Sequence, residues 1–254
     1  MFTIVIAGFN CADTIGETLT SCIHASHEGE LCNEIIYYDD GSTDSSLKIV
    51  QEIASTNVGK IKIKTLSGPN RGVSFARNTA IDEARNELVA LIDSDDLMTV
   101  SRLKEQKRVF ISDENIDFIS GGCLVAYKMY MSLFQPQNKK IRRSDLIYNP
   151  IINPTLSFKK SAFLEVGKYN EKNKTMTEDL ELHYNILNSG KTLHTCENIW
   201  CTYRERQSPR KFKAYLNILY LHMKNKNRLH LAIFYFFIDI LVLTGIHQPR
   251  SWIK

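Results

Sequence analysis

No two cysteines of this 254-residue chain stand in a C-x-x-C pair, no Walker A loop is present, and no G-x-G-x-x-G occurs. The first absence argues against a zinc site or a redox dithiol. Cys11, Cys22, Cys32, Cys123, Cys196 and Cys201 are therefore expected to be small core residues in a reducing compartment. The other two absences argue against a P-loop and a dinucleotide fold. Charge of one sign is also scarce: the net value is +4, too modest to argue for nucleic acid. The apolar run Leu231 to Ile246, broken by Asp239, falls short of the ~20 residues that span a bilayer. Met1 to Ala7 has no charged leader, so no signal peptide is expected, and the Asn173-Lys174-Thr175 sequon carries no weight in a cytosolic protein. What remains is 43% hydrophobic and 24% charged, the composition of a soluble globular protein with one large α/β domain or one domain plus an appendage.

Strand and helix patterns alternate through the first half. Phe2 to Ala7, Asn33 to Tyr38 and Leu88 to Ile92 read as buried strands, and Ile61 to Leu66 alternates like a half-exposed edge strand. Helices are expected over about residues 12–25, 44–54 and 73–84, with Asp44 a plausible cap. This alternation predicts a mostly parallel sheet with helices on both faces, whose ligands bind outside the carboxyl ends of the strands. Three of those ends are polar: Gly8-Phe9-Asn10, Asp39-Asp40-Gly41-Ser42 and Asp93-Ser94-Asp95-Asp96. Each alone fits ordinary turn chemistry, whereas three on one rim point to a ligand crevice.

The last of the three is the densest. Two carboxylates ~4 Å apart repel by about 4 kcal/mol at an effective dielectric near 20, which a divalent cation relieves. The competing reading is an Asp-rich N-cap for a helix starting near Thr99. Gly72 allows a tight turn into a helix whose free N–H groups attract anions, and Arg77 in that helix offers a planar fork to a base or phosphate.

Taken in order, Ala7-Gly8-Phe9-Asn10, Asp39 to Asp44, Asn70-x-Gly72-x-x-x-Ala76-Arg77-Asn78, Asp93 to Asp96 and Glu178-Asp179 resemble the family 2 glycosyltransferases of GT-A fold. The resemblance is densest over residues 1–100 and reaches Tyr203. Ala7 departs from the family's usual Pro, which bears on loop rigidity rather than chemistry. The resemblance implies a UDP-sugar across the rim, with Phe9 and Asp39 on the uracil and Asp40 and Arg77 supporting that subsite. Ala7, Asn10, Asn70, Gly72 and Ser94 would complete it. Asp93 would lie near the sugar hydroxyls, and Asp95, with Asp93, would ligate Mn2+ or Mg2+ at the diphosphate. Asp179 would be the base of an inverting reaction, and Glu178 would orient the acceptor or the base. Tyr203, Arg204 and Ser208 would stand near the diphosphate, with Arg204 or Arg206 offsetting its charge. The absence of Gln-x-x-Arg-Trp favours addition of one residue per encounter.

In the second half, Phe118 to Gly122, Leu124 to Phe134 and Thr155 to Phe158 read as strands, and Ser161 as the cap of a short helix. Gln135 to Arg143 reads as a basic, mobile loop and a solvated charge run. Thr177 should cap a helix from Glu178 to Asn188 that stops at Gly190, with His183 an ordinary helix residue. The expected organisation is a GT-A domain over 1–208, split into a nucleotide-sugar half (1–100) and an acceptor half (101–208). Residues 209–254 form a basic, apolar helical extension. That extension either lies on an anionic inner membrane or docks on the catalytic domain.

The function expected is transfer of a sugar to a glycan or undecaprenyl-diphosphate-linked acceptor in assembly of O-antigen, capsule or lipooligosaccharide. The protein would be cytoplasmic, with possible contact to the inner membrane's cytoplasmic face. A sugar nucleotidyltransferase would want a G-x-G-x-R loop after strand one, which Gly8-Phe9-Asn10 does not provide. A silent binding protein of the same fold would not need Asp93, Asp95 and Asp179, and a glycoside hydrolase would need no nucleotide subsite.

Overall fold

The structure is a computed structural model, and it describes residues 1–57, 59, 61–126, 130–173, 176–204, 212–225 and 233. Four parallel strands form one half of the sheet: β1 (Phe2–Gly8), β2 (Cys32–Asp39), β3 (Lys62–Ser67) and β4 (Leu88–Asp93), in the order β3-β2-β1-β4. Helices α1 (Ile15–His27), α2 (Ser46–Thr56) and α3 (Val73–Asp82) connect them. The period-two pattern of β1 explains the layering. Phe2, Ile4 and Ile6 pack with Ile15 and Leu19 of α1 and Val50 of α2, while Val5 packs on the other face with Ala76, Ala80 and Ile81 of α3. As expected, β3 is the exposed edge.

Beyond Asp93 the sheet is mixed. A two-residue β5 (Leu97–Met98) and α4 (Arg102–Ser112) lead to β6 (Phe118–Ala126). Then follow β7 (Met131–Phe134), β8 (Lys139–Lys140), β9 (Ser157–Lys159), α5 (Lys160–Glu165), α6 (Glu178–Asn188), β10 (Leu193–Arg204) and α7 (Phe212–Lys224). Short β9 is inserted antiparallel between β4 and β6, and β10 pairs parallel to β6. The aromatic stack Phe158–Phe163 and the tilted pair Phe118–Phe158 seal this junction, with ring centroids 4.8 and 5.5 Å apart.

Several local expectations change. Strand β6 runs on to Ala126, and β7 returns against it as a separate antiparallel strand, so Leu124 to Phe134 is not one element. The stretch expected as a loop holds β8 and a 3-10 turn over Arg143–Ile147, with Lys139 3.0 Å from Asp145. Ser161 lies inside α5, whose N-cap is Lys159. Thr177 is the N-cap residue of α6, yet its hydroxyl accepts from Asn173 and Asn217 rather than from the helix. Likewise α2 is preceded by Ser45, while Asp44 accepts from the N–H groups of Ala12 and Ser46. All six cysteines are free and buried. Much of the C-terminal apolar run lies outside the described residues, as do Ser208, Arg206 and the sequon's Lys174 and Thr175.

Candidate active site

Parallel pairing brings the polar strand ends together. Ala7 is in register with Asp93 across one side of β1, and Gly8 with Asp39 across the other. The rim is then tied by hydrogen bonds between its loops. Asn10, in the left-handed region at φ 48°, accepts from the Thr43 N–H at 2.9 Å, and its own N–H donates to Ser42 Oγ at 2.9 Å. Phe9 stands at this edge with 46% of its surface exposed.

The two aspartates ending β2 have different work. Asp39 is buried, and its oxygens accept from the Tyr37 hydroxyl (3.2 Å) and the Ser42 N–H (3.0 Å). Asp40 is turned toward the loop before α3 and accepts from the N–H groups of Arg71 and Gly72, both at 2.8 Å. The N–H groups expected to meet a ligand anion at α3 are thus partly taken by a carboxylate of the chain itself. Asp40 thereby anchors that loop at the edge of the rim. Asn70 is exposed beside it, and Gly72, at φ 97°, gives the turn into α3.

Arg77 is buried in α3, and its fork meets two carboxylates of the chain. Nη2 lies 2.6 Å from Asp93 and Nη1 3.4 Å from Glu178. With the Asn153 amide turned as its partners require, Asn153 accepts from Arg77 at 3.2 and 3.3 Å and donates to the Tyr169 hydroxyl at 2.9 Å. The Tyr169 ring lies 5.4 Å from the guanidinium, and Asn78 clasps the Tyr169 backbone through both amide atoms. Burial opposes charge on Arg77, but Asp93 and Glu178 more than offset it, so the guanidinium stays protonated. Glu178 is pushed upward by burial and then by Asp179, with Arg77 pulling it back. Asn153 and Tyr169 carry no motif; both are recognisable only once the chain is folded.

In the Asp93-Ser94-Asp95-Asp96 run, the N-cap reading falls away, because α4 starts at Arg102 with Ser101 as its cap. The Ser94 carbonyl is held by the hydroxyls of Thr14 (2.9 Å) and Thr18 (3.1 Å) of α1. Asp96 is fully buried: one oxygen accepts from the Arg204 N–H at 2.9 Å and the other has no partner. Burial, then Asp93, pushes its carboxyl up to about 9, so it is neutral at pH 7. Asp93 is paired with Arg77, and Asp95 stands half-buried two residues beyond it on the same rim. This hard-oxygen donor set fits Mg2+ or Mn2+, which bind through one or two carboxylates plus substrate phosphates. No cluster of three or more His, Cys, Asp or Glu able to hold a metal exists among the described residues.

Asp179 is the second residue of α6, half-buried, next to Glu178. His183, one turn further along the helix, is fully buried against Asn149. Tyr203 lies on the last stretch of β10, packed beside Cys123, Val125 and Cys201. Arg204 ends β10, and its Nη2 pairs with Glu17 of α1.

Comparison with known proteins gives the family and the fold. Over 132 residues, 48% of this chain, it is 31% identical to an Escherichia coli UDP-Glc:alpha-D-GlcNAc-diphosphoundecaprenol beta-1,3-glucosyltransferase, WfaP, of which the match spans 50%. A 27% identity over 217 residues, 76% of this chain, relates it to the succinoglycan biosynthesis protein ExoU of Rhizobium meliloti, spanning 59% of that protein. The chain therefore matches little more than half the length of these relatives. In fold it resembles Staphylococcus aureus TarS 1–349 in complex with UDP-GlcNAc. That likeness has a TM-score of 0.72 at 18% identity and covers 98% of this chain and 76% of TarS. It also resembles the Pyrobaculum calidifontis mannosyltransferase PcManGT in complex with GDP-Man and Mn2+. Here the TM-score is 0.67 at 15% identity, covering 99% of this chain and 81% of that one. These neighbours give the chain a GT-A fold. The sequence profile described as glycosyl transferase family 2 matches residues 3–164, and the chain belongs to that family.

Proposed function

We propose that the chain is an inverting glycosyltransferase that moves a sugar from a UDP-sugar to a hydroxyl of a lipid-linked glycan acceptor in bacterial surface-polysaccharide assembly. O-antigen, capsule and lipooligosaccharide are the fitting products. The observation that carries this reading is the Asp93–Arg77–Glu178 bridge. It joins the donor rim at the end of β4 to the acidic pair opening α6, through an arginine that lies 101 residues before Glu178 in sequence. Single displacement needs a nucleophile and a leaving group on opposite sides of one carbon, held in fixed geometry. WfaP supports the UDP donor and the diphosphoundecaprenol acceptor.

In this mechanism Asp179 takes the proton of the acceptor hydroxyl as its oxygen bonds to the anomeric carbon. The bond from that carbon to the UDP oxygen breaks in the same step, inverting the configuration. Glu178, tethered by Arg77, orients the acceptor against Asp179. Phe9 and Asp39 receive the uracil, while Ala7, Asn10, Asn70, Gly72, Ser94 and Tyr203 shape the rim around the donor. Asp95, with Asp93, would hold Mg2+ or Mn2+, which when bound offsets diphosphate charge and stabilises the departing UDP. Residues 1–100 thus serve the donor and 101–208 the acceptor, while 209–254 meet the inner membrane from the cytoplasmic side.

The test is a UDP-release screen of sugar nucleotides with Mn2+ and a lipid-diphosphate monosaccharide. Asp179→Asn should lower kcat by about 10²–10⁴-fold, the contribution of a positioned base, while UDP-sugar affinity by calorimetry stays near wild type. Near-normal turnover in that variant would remove Asp179 from the role. Asp95→Ala should abolish metal-dependent transfer and the Mn2+-dependent part of UDP binding.

A further inference from the structure

Helix α7 is apolar on two opposite faces. Ala214, Leu221 and His222 are buried on one side, where the Tyr184 hydroxyl of α6 meets His222 Nδ1 and Asn188 donates to Asn225 at 2.7 Å. On the other side Leu216, Tyr220 and Met223, spaced i, i+4 and i+7, are 45%, 55% and 53% exposed. An ordinary surface helix turns charge outward at this position. Here the centre of the outer face is apolar, and the charge stands at its flank. Lys213 is exposed there, and Lys224 Nζ lies 6.0 Å from the Tyr220 ring centroid. An apolar stripe edged by lysines on flexible stems is the pattern of a helix lying in a lipid headgroup region.

Charge selects the partner. Residues 209–254 contain eight Lys and Arg against one acid, Asp239, while the whole chain carries only +4, so the remaining residues are net negative. A second copy of the chain would meet this basic segment with like charge across a symmetric interface; an anionic lipid surface complements it. The stripe is also fixed relative to the site. Asn217 Nδ2 donates to Thr177 Oγ1 at 2.6 Å, one residue before Glu178, and a shallow groove lined by Lys213, Leu216, Asn217 and Tyr220 runs alongside.

We propose that the outer face of α7 seats the protein on an anionic bilayer. Leu216, Tyr220 and Met223 enter the headgroup–acyl boundary, Lys213 and Lys224 meet lipid phosphates, and the acidic start of α6 is held beside the membrane. This rests on the lipid-linked acceptor proposed above and names the surface that brings the enzyme to it.

Flotation of the full-length protein, without donor or acceptor, is the test. Vesicles of phosphatidylethanolamine with phosphatidylglycerol are compared with vesicles of phosphatidylcholine alone. The wild type should float with the anionic vesicles, and Leu216→Ser/Tyr220→Ser/Met223→Ser should lower partitioning by about tenfold or more. Lys213→Gln/Lys224→Gln should narrow the preference for anionic over neutral vesicles, and circular dichroism should show both variants folded. Wild-type protein that stays unbound overturns the proposal, as does a folded triple variant that floats equally well. So does a wild-type dimer by light scattering that the triple variant loses, which would assign the stripe to a second copy. Calorimetry with Mn2+ and UDP in the absence of vesicles tests the glycosyltransferase reading separately.

Discussion

At the scale of single residues, Arg77 decides how the two halves of the site are related. A guanidinium spans two carboxylates because it is planar and carries paired donors on different nitrogens, whereas an ammonium is one compact charge. Arg77→Lys should therefore keep the fold but release either Asp93 or Glu178. The expected result is a fall in kcat on the order of tenfold or more with UDP affinity changed less. Arg77→Met removes the cation and leaves Glu178, 14% exposed, without its counter-charge; urea unfolding should show a loss of roughly 3 kcal/mol. Adding Glu178→Gln should restore part of that stability, because the penalty belongs to the unpaired charge; strict additivity of the two losses would sink the bridge as an energetic unit. None of this was legible from Arg77 in sequence. A basic residue early in a helix after a glycine looks like a ligand contact, and its partners within the chain come from β4 and α6, which no local pattern announces. The places of Asp93 at a strand end and Asp179 in the first turn of a helix were legible, because the apolar run before one and the helical pattern after the other fix them. Asp96 was not, since nothing in a run of acids tells which one turns inward.

At the scale of elements, the rim follows from simple rules. Parallel strands of matched length end on one edge, so apolar runs that stop at polar residues announce the site, and β1, β2 and β4 do so. The insertion of β9 between β4 and β6 was not readable: a three-residue strand carries no signal for its neighbours, and its place is set by packing Phe158 between Phe118 and Phe163. The loop before α3 is fixed by a different device, the Asp40 carboxylate on two backbone N–H groups. Both bonds are charge-assisted, and removing the acceptor strands both donors. Asp40→Ala should cost roughly 2 kcal/mol or more, seen as a lower urea midpoint at unchanged slope. Gly41 abuts the same loop: at φ 76°, an added Cβ would meet the Asn70 nitrogen at 2.7 Å. Gly41→Ala should therefore destabilise as well, through backbone strain and collision together. An Asp40→Ala protein as stable as wild type would show that the loop is held by something else.

At the scale of the whole molecule, the acid limit of stability traces to histidines that pack α6 against its neighbours. His183 is buried beside Asn149, and His222 of α7 is buried against Tyr184. Burial lowers both to about 4, from an ordinary value of 6.5. The unfolded chain takes up these protons near pH 6.5 and the folded chain only near pH 4. Between those values the unfolded state binds more protons, so stability falls as pH falls. Each histidine contributes up to about 3 kcal/mol across that window at 1.36 kcal/mol per pKa unit. Asp96 acts in the opposite sense, since its buried carboxyl keeps a proton up to about 9 while the unfolded chain releases it near 3.8. Glu178, raised by burial and Asp179, acts in the same sense as Asp96, so the histidine contribution is read from a difference between variants. His222→Gln removes one titration and keeps an acceptor for the Tyr184 hydroxyl. Its stability measured by urea at pH 7.5 and 5.0 should therefore change less than the wild type's. Asp96 is common to both proteins and cancels in the difference. Equal pH dependence in the two proteins would mean that His222 takes up its proton alike in the folded and unfolded states, and the acid sensitivity would then rest on His183.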